Sequence, residues 1–352
     1  MALYPPEISL QKWGRFMAWL VIPAIVVFSP LYWFFSYGMI PGPGPQNGDE
    51  VRVVIPQGQG FQGVYRALVD SGVIAEDVRF GLLASWRGIS KKLKAGEYAF
   101  QRPVPPSQVL DSLVAGSSLH HPLTFQEGLT MRQVVRQLSR QEWGSQQELL
   151  ALCSDPDFIA SLGLDVPTLE GYLFPDTYYF SRDQGGRAIL RMMVNRFFEV
   201  ARELDLVQGS GEAGDAAASH SLSLHEIVTL ASIIEKEAGV AVERPMVARV
   251  FLNRLERNMR LQADPTVIYG LSDFDGNLTR QDLRTPTAYN TYLLKGLPFG
   301  PIANPGRDSL QAVLEPADGD WTYFVGRGDG THHFSTNLTE HNRAVYEFQK
   351  KR

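Results

Sequence analysis

Two glutamates, Glu235 and Glu237, stand in the run ASIIEKEAG (Ala231–Gly239), and their types and spacing make them the side chains best suited to acid–base chemistry in this chain of 352 residues. The run reads as a helix that is apolar on most sides. Two further segments follow it, RLQADPTVIYG (Arg260–Gly270) and TPTAYNTYLLKGLPFGPIANPG (Thr285–Gly306). Gln262, Asp264, Tyr269, Tyr289, Asn290, Thr291 and Tyr292 in them supply amides, hydroxyls and aromatic faces with little charge. Sugars need that mixture, because their hydroxyls take hydrogen bonds and their ring faces take flat apolar surfaces. A carboxylic acid held in apolar surroundings keeps its proton near neutral pH. Such an acid can hand that proton to the oxygen of a glycosidic bond.

A helical wheel divides the pair. With Leu224 at zero and about 100° per residue, Leu224, Ile227, Val228, Ala231 and Ile234 share one arc. Glu235 lies inside that arc, and Glu237 roughly 200° from it. Leu230 and Ile233 lie near Glu237, so its side is not a plain solvent face. The two carboxyls therefore cannot both enter one cleft, and periodicity does not choose between them. The ordinary alternative is one surface charge and one core-edge glutamate paired with an arginine.

Other constellations carry less. His332 and His333 in GTHHF, with His341 beyond, invite a metal reading. Adjacent histidines on a strand point to opposite sides, however, and no HExxH-type spacing is present, so no metal is expected. Thr331–Asn337 (THHFSTN) instead reads as a strand end lining the cleft, with Ser335 and Asn337 as hydrogen-bonding groups. Asp264 and Asp176 are the other carboxylates to weigh. Either would open two-carboxylate hydrolysis if it lay about 5–9 Å from Glu237. Their simpler reading is structural, Asp264 starting a DPT turn and Asp176 capping one after Pro175. Glu170 and Tyr172 in LEGYLFPDT line the cleft or pack beneath it.

The elements that position these residues begin at the N-terminus. Phe16–Ile40 carries no charged side chain, and about 20 such residues cross a bilayer core of ~30 Å. Trp13, Trp19, Tyr32, Trp33 and Tyr37 cluster towards its ends as interfacial aromatics do. The run is long for a signal peptide and no A-x-A pattern follows it, so an uncleaved anchor is expected. Lys12 and Arg15 precede the span and place the N-terminus in the cytoplasm. Everything after Pro45 then lies outside the cytoplasmic membrane.

Composition bounds the rest. A hydrophobic share of 44% with 20% charged residues fits a folded protein with a sizeable core. The net charge of −5, with no run of Lys and Arg, gives no footprint for nucleic acid. Cys153 is the single cysteine, which excludes an intrachain disulfide, a zinc ribbon or a CxxC pair. It reads as a small buried apolar residue.

Residues 41–50 form a Pro/Gly linker. Val51–Ile55 reads as a strand, Phe61–Val69 and Val78–Trp86 as helices, and Gly96–Phe100 as a returning strand. That order resembles the LysM module, a small glycan-binding fold. Pro105–Ala115 reads as a short helix with Ser107 as its N-cap. Ile55–Leu68 (IPQGQGFQGVYRAL) recurs as Phe125–Leu138 (FQEGLTMRQVVRQL), with Gly58, Val64, Arg66 and Leu68 matching Gly128, Val134, Arg136 and Leu138. This is either an internal duplication or a common turn-plus-helix pattern. Gly185–Leu204 is a long helix with Ile189, Met192, Met193, Phe197 and Val200 on one face, and Gln208–Ser221 is a polar surface loop. The fold class expected is α+β. A transmembrane helix spans residues 16–40 after a cytoplasmic segment 1–15. A LysM-like βααβ module follows over 51–118, then a mixed α+β catalytic domain over 119–352.

Taken together, ASIIEKEAG, RLQADPTVIYG, TPTAYNTYLLKGLPFGPIANPG and LEGYLFPDT resemble the YceG-like family of membrane-anchored endolytic murein transglycosylases. The likeness runs in order from about Val51 to the C-terminus, with the polar insertion at Gln208–Ser221 longer than usual. It implies a lyase of the cell inner membrane, single-pass, with its catalytic domain in the periplasm. It would cleave the bond between N-acetylmuramic acid and N-acetylglucosamine within nascent peptidoglycan strands, leaving 1,6-anhydro ends and terminating glycan elongation. The resemblance places the catalytic acid in the EKE element. In soluble lytic transglycosylases a small residue directly follows the acid, so Glu237–Ala238 fits better than Glu235–Lys236. Glu237 is the expected catalytic residue. Glu235, Gln262, Asp264, Tyr269, Tyr289, Asn290, Thr291 and Asn337 are the expected substrate-binding group, without metal or cofactor. The implied partners are peptidoglycan glycan strands, the cytoplasmic membrane and cell-wall synthase complexes. A glycan-binding scaffold that does not cut, and a two-carboxylate muramidase, are the competing readings.

Overall fold

A computed structural model describes residues 10–45, 48–208, 212–213 and 222–350. The chain divides into two compact units, one of residues 1–121 with 179–184, the other of 122–178 with 185–352.

The first unit starts with helix α1 (Leu10–Tyr37), which contains Pro23 and Pro30. Its stretch Trp19–Tyr37 has a mean hydropathy of 1.8 over 19 residues and is long and apolar enough to cross a membrane. Trp19, Ile22, Val26, Phe28 and Tyr32 are exposed along it, as a lipid-facing helix requires. The helix stops at Tyr37, short of the Ile40 expected from composition, and Gly38–Ile40 turn. Arg79 lies over the rings of Trp33 and Tyr37, 4.6 and 4.5 Å from their centroids.

Strand β1 (Asp49–Ile55), helices α2 (Phe61–Asp70) and α3 (Val78–Trp86), and strand β2 (Gly96–Arg102) follow in that order. The strands pair antiparallel, from Asp49 opposite Arg102 to Ile55 opposite Gly96. The two-residue period of β1 buries Val53 and Ile55. They pack with Leu68, Phe80 and Tyr98, and with Val109 and Leu113 from helix α4 (Pro106–Ala115), into one core. Ser107 does not cap α4. Pro105 holds the N-cap position, and the Ser107 hydroxyl donates to the Gly38 carbonyl at 2.5 Å. A proline at N1 needs no partner for a backbone N–H, and that frees the serine.

The second unit is mostly helical. Strand β3 (His121–Thr124) leads to helices α5 (Met131–Arg140), α6 (Gln146–Leu152) and α7 (Pro156–Ser161), and β3 pairs with β4 (Thr177–Phe180). The repeated fourteen residues share one local geometry. Gly58 and Gly128 take φ of +79° and +75°, and each precedes its helix by the same number of residues. The matched Val64, Val134, Leu68 and Leu138 are all buried. The likeness is thus a left-handed turn followed by an inward-facing helix side. Cys153 is buried, and burial pushes its thiol up to about 12.

Helix α8 (Gly186–Glu203) buries Ile189, Leu190, Met193, Val194, Phe197 and Val200, a wider face than the wheel gives, with Met192 at its edge. The expected loop Gln208–Ser221 lies largely outside the described residues. Within it, β5 (Val207–Gln208) and β6 (Glu212–Ala213) form a two-residue antiparallel pair.

Then come α9 (Leu224–Glu237), α10 (Arg244–Glu256), α11 (Asp264–Gly270) and α12 (Arg307–Leu314). A hairpin of β7 (Tyr323–Gly326) and β8 (His332–Ser335) follows, with Tyr323 opposite Ser335, and then α13 (Leu338–Val345). Packing demands glycine at Gly171 and at Gly239. Gly171, at φ +88°, would place a Cβ 2.6 Å from Pro301 and 2.8 Å from Val228. A Cβ on Gly239 would lie 2.6 Å from the Gly330 carbonyl oxygen, so the end of α9 can reach the β7–β8 loop only as glycine.

Candidate active site

Helix α9 begins with a full capping box, in which Ser223 accepts from the Glu226 N–H and Glu226 reaches back to the Ser223 N–H. Every residue from Ile227 to Ile234 is buried. The helix is therefore a central strut, and the two glutamates in its last turn are held rigidly.

They point to different places, as the wheel requires. The Glu235 carboxylate is fully engaged. Oε1 accepts from Arg244 at 3.1 Å, and Oε2 accepts from the Gly306 N–H at 3.0 Å and the Ser309 hydroxyl at 2.7 Å. Arg244 also reaches Glu127 at 3.2 Å and Asp308 at 3.5 Å. Glu235 thus ties α9 to the starts of α10 and α12. It does not line the cavity beside Glu237, because its oxygens are already taken by donors inside the fold.

Glu237 lines a cavity of about 370 Å³ together with Arg254, Gln262, Asp264, Tyr292 and His341. No hydrogen bond from a described residue acts on its carboxyl. Burial pushes its pKa up to about 7, the nearby Asp264 charge adds to the rise, and the Arg254 charge opposes it. Desolvation disfavours the charged form of an acid, so the group is largely protonated just below neutrality. An acid near pH 7 can donate and then recover a proton with little penalty in either direction.

The cavity wall is built from the segments rich in amides and hydroxyls. Gln262 is exposed and stands at φ +50°, in the left-handed region. Its N–H donates to the Thr291 carbonyl at 3.1 Å. The Thr291 hydroxyl accepts from the Ala263 N–H at 3.0 Å and lies 2.8 Å from the Thr266 hydroxyl. Asn290 donates to the carbonyls of Leu283 and Thr285 and accepts from the Tyr292 N–H at 2.9 Å. Thr291 and Asn290 are fully buried. Thr291 braces the turn carrying Gln262 and Asp264, Asn290 braces its own loop, and neither lines this cavity. Asp264 accepts the Tyr292 hydroxyl at 2.6 Å.

The remaining expected contacts lie elsewhere. Tyr269 donates to Glu170 at 2.9 Å, and its ring meets that of Tyr289 at 4.7 Å, edge to face. Neither tyrosine lines this cavity. Glu170 is buried, also accepts from the Met131 N–H, and is raised to about 7 chiefly by burial. Asn337 accepts from the Glu340 N–H at 3.0 Å and so caps α13. Ser335 is buried. Tyr172 is also buried, and its hydroxyl lies 2.9 Å from His225 Nδ1. Asp176 bonds the Thr177 N–H and Arg196, in keeping with a turn-capping role.

The histidines do not converge. His332 bonds Glu243 through its N–H and Nδ1, at 2.9 and 2.7 Å, while His341 stacks on Tyr323 at 5.1 Å. Among the described residues no three His, Cys, Asp or Glu side chains group as they would around an ion.

Sequence reasoning missed Arg254, Tyr323 and Asn342, all of which line the cavity. One signal for Arg254 was available. It follows Val247, Val250 and Phe251 at seven, four and three residues, on the apolar stripe of its helix, where a charge needs an explanation.

The profile of the YceG-like family matches residues 53–347. The chain belongs to the YceG-like family. The match runs from the end of β1 through the cavity residues and leaves α1 outside. Among YceG-like relatives, the chain is 29% identical over 317 residues to the endolytic murein transglycosylase of Bacillus subtilis, covering 85% of this chain and 84% of that protein. It is 26% identical over 329 residues to the protein of the same name from Streptococcus pneumoniae, covering 84% of this chain and 58% of that one. A 2.6 Å crystal structure of a yceG-like protein from Listeria monocytogenes superposes with a TM-score of 0.57 at 32% identity, over 84% of this chain and 99% of that one.

Proposed function

We propose that this protein is an endolytic peptidoglycan lytic transglycosylase with Glu237 as its catalytic acid and base. The observation that carries the proposal is the Glu237 carboxyl itself, which has no hydrogen-bond partner among the described residues and lines the cavity with a pKa of about 7. In the first half of the reaction Glu237 gives its proton to the oxygen joining N-acetylmuramic acid to N-acetylglucosamine, and that bond breaks. In the second half its carboxylate takes the proton of the muramyl 6-hydroxyl, whose oxygen closes on C1 to give the 1,6-anhydro end. One group performs both steps, so no water nucleophile, metal or cofactor enters.

The names of the relatives from Bacillus subtilis and Streptococcus pneumoniae support the substrate class. The apolar α1 supports anchoring at the cytoplasmic membrane, with the N-terminus inside, the catalytic unit in the periplasm and newly made glycan within reach. Cutting within nascent strands would end their elongation and would fit work beside a cell-wall synthase complex. The strand–helix–helix–strand unit fits a LysM-like grip on glycan. In this reading Gln262 and Asp264 meet the substrate directly, while Asn290, Thr291 and Glu235 position the cavity.

Asp264 lines the same cavity and acts electrostatically on Glu237, which favours a two-carboxylate muramidase as the second reading. The products separate the two. Full-length protein in detergent is incubated with purified glycan strands and the ends are weighed by mass spectrometry. Anhydro ends are expected, and hydrated reducing ends would replace the first reading by the second. Undiminished cutting by Glu237→Gln would remove Glu237 from its role. Binding without cutting would leave a glycan-binding scaffold.

A further inference from the structure

Arg254 carries a buried charge that the fold leaves uncompensated. Its Nε donates to the Thr322 carbonyl at 2.7 Å and its Nη1 to the Leu261 carbonyl at 2.5 Å, and its guanidinium lies 5.3 Å from the centre of the Tyr323 ring. Only 7% of the residue is exposed. Among the described residues it enters no ion pair, and its remaining guanidinium hydrogens have no acceptor. A buried cation is destabilising unless an anion or a full set of acceptors meets it.

The neighbours do not supply that anion. Asp264 takes the Tyr292 hydroxyl and is not among the charges acting on Arg254. Glu237 is largely protonated just below neutral pH. His341 is held below its usual value by burial and by Arg254 itself, and its Nδ1 is buried without a partner. The three N–H donors left in its rigid planar fork match a carboxylate or acyl oxygen better than they match a hydroxyl. The cavity therefore has a fixed cationic wall beside its acid.

We infer that Arg254 forms an acyl-oxygen subsite that takes the 3-O-lactyl group of a muramyl residue and so selects muramyl over glucosaminyl units next to Glu237. The inference rests on the proposed reading of the substrate. The two sugars of the strand differ only in that lactyl ether, whose far end is a carboxylate on bare strands and an amide carbonyl where a stem peptide is attached. A guanidinium held by two backbone carbonyls can meet either, and it binds the charged form more tightly.

The test uses the full-length protein in detergent. Wild type is titrated with N-acetylmuramic acid and with N-acetylglucosamine by NMR. Muramic acid is expected to bind at least about tenfold more tightly, the size of one charge-assisted hydrogen bond, and to weaken as salt rises. Equal binding of the two sugars overturns the inference without any variant. KM and kcat are then measured for wild type, Arg254→Lys and Arg254→Met on bare strands and on strands with stem peptides. Arg254→Met is expected to raise KM roughly tenfold on bare strands and less on substituted ones, with Lys restoring part of the difference. An equal loss on both substrates, confined to kcat, overturns the inference. Cutting to anhydro ends without muramyl preference sinks this inference alone. Muramyl preference without cutting sinks the transglycosylase reading and leaves the subsite.

Discussion

Tyr292 donates its hydroxyl hydrogen to Asp264 across 2.6 Å, and that bond distinguishes the two acids of the cavity. Asp264 is exposed and already engaged, whereas Glu237 has no partner among the described residues and is held near a pKa of about 7. One carboxyl serves the wall and the other is available for proton transfer.

Glu237→Gln is expected to lower strand cutting by about a thousandfold, within the span of general acid–base catalysis, while circular dichroism stays unchanged. The wild-type rate should fall as pH rises through about 7, because the first step needs the proton on Glu237. A rate profile flat to pH 9 would contradict the assignment.

The same group makes stability depend on pH. Glu237 is ordinarily an acid of pKa 4.5 and is raised to about 7 in the fold, so between those values the folded chain holds a proton that the unfolded chain has released. Stability therefore falls as pH rises across that window, and Glu170, raised to about 7, acts in the same direction. Melting temperatures of Glu237→Gln measured from pH 4.5 to 7 should decline less steeply than those of wild type.

Glu235→Ala is expected to destabilise the fold by about 3 kcal/mol, since it strands the buried side of Arg244 and frees the Gly306 N–H and the Ser309 hydroxyl. Glu127 and Asp308 remain beside Arg244 and limit the loss. Urea unfolding measures it. Activity per folded molecule should survive better than in Glu237→Gln, and equal loss in the two variants would give Glu235 a chemical role.

Thr291→Val keeps the shape but removes the hydroxyl that accepts the Ala263 N–H. A cost of about 1–3 kcal/mol is expected for the buried donor left unpaired. KM should rise more than kcat falls, because the turn carrying Gln262 and Asp264 loses its anchor. Steady-state kinetics on one strand preparation decides this.

Gly171→Ala must place a methyl between Pro301 and Val228 and take a left-handed φ. Destabilisation of about 1–3 kcal/mol is expected from overpacking alone, read as a lowered melting temperature.

Much of the fold was legible from local patterns. The apolar span, the strand–helix–helix–strand order, the long helix after Gly185 and the split of Glu235 from Glu237 all follow from periodicity within a single element. The fate of Ser107 was not, because a hydroxyl at a helix start can cap it or bond a distant carbonyl, and the neighbouring prolines tipped the balance. Asn290, Thr291 and Asn337 have the composition of a sugar site, yet a short amide or hydroxyl side chain is as good at bracing backbone as at binding ligand. Composition cannot separate those uses.

By itself the sequence determined that the chain carries an apolar helix long enough to span a membrane, that it belongs with the YceG-like proteins, and that only one glutamate of the pair can face a given cleft. These are properties of residue order along one element. Which glutamate is free, and which is consumed by Arg244, Gly306 and Ser309, was decided by tertiary structure alone. The partners lie up to 74 positions away, and a carboxyl's proton affinity depends on what surrounds it in space. For the same reason Arg254, an apparent misfit on an apolar helix stripe, acquires meaning only where α10 borders the cavity of Glu237.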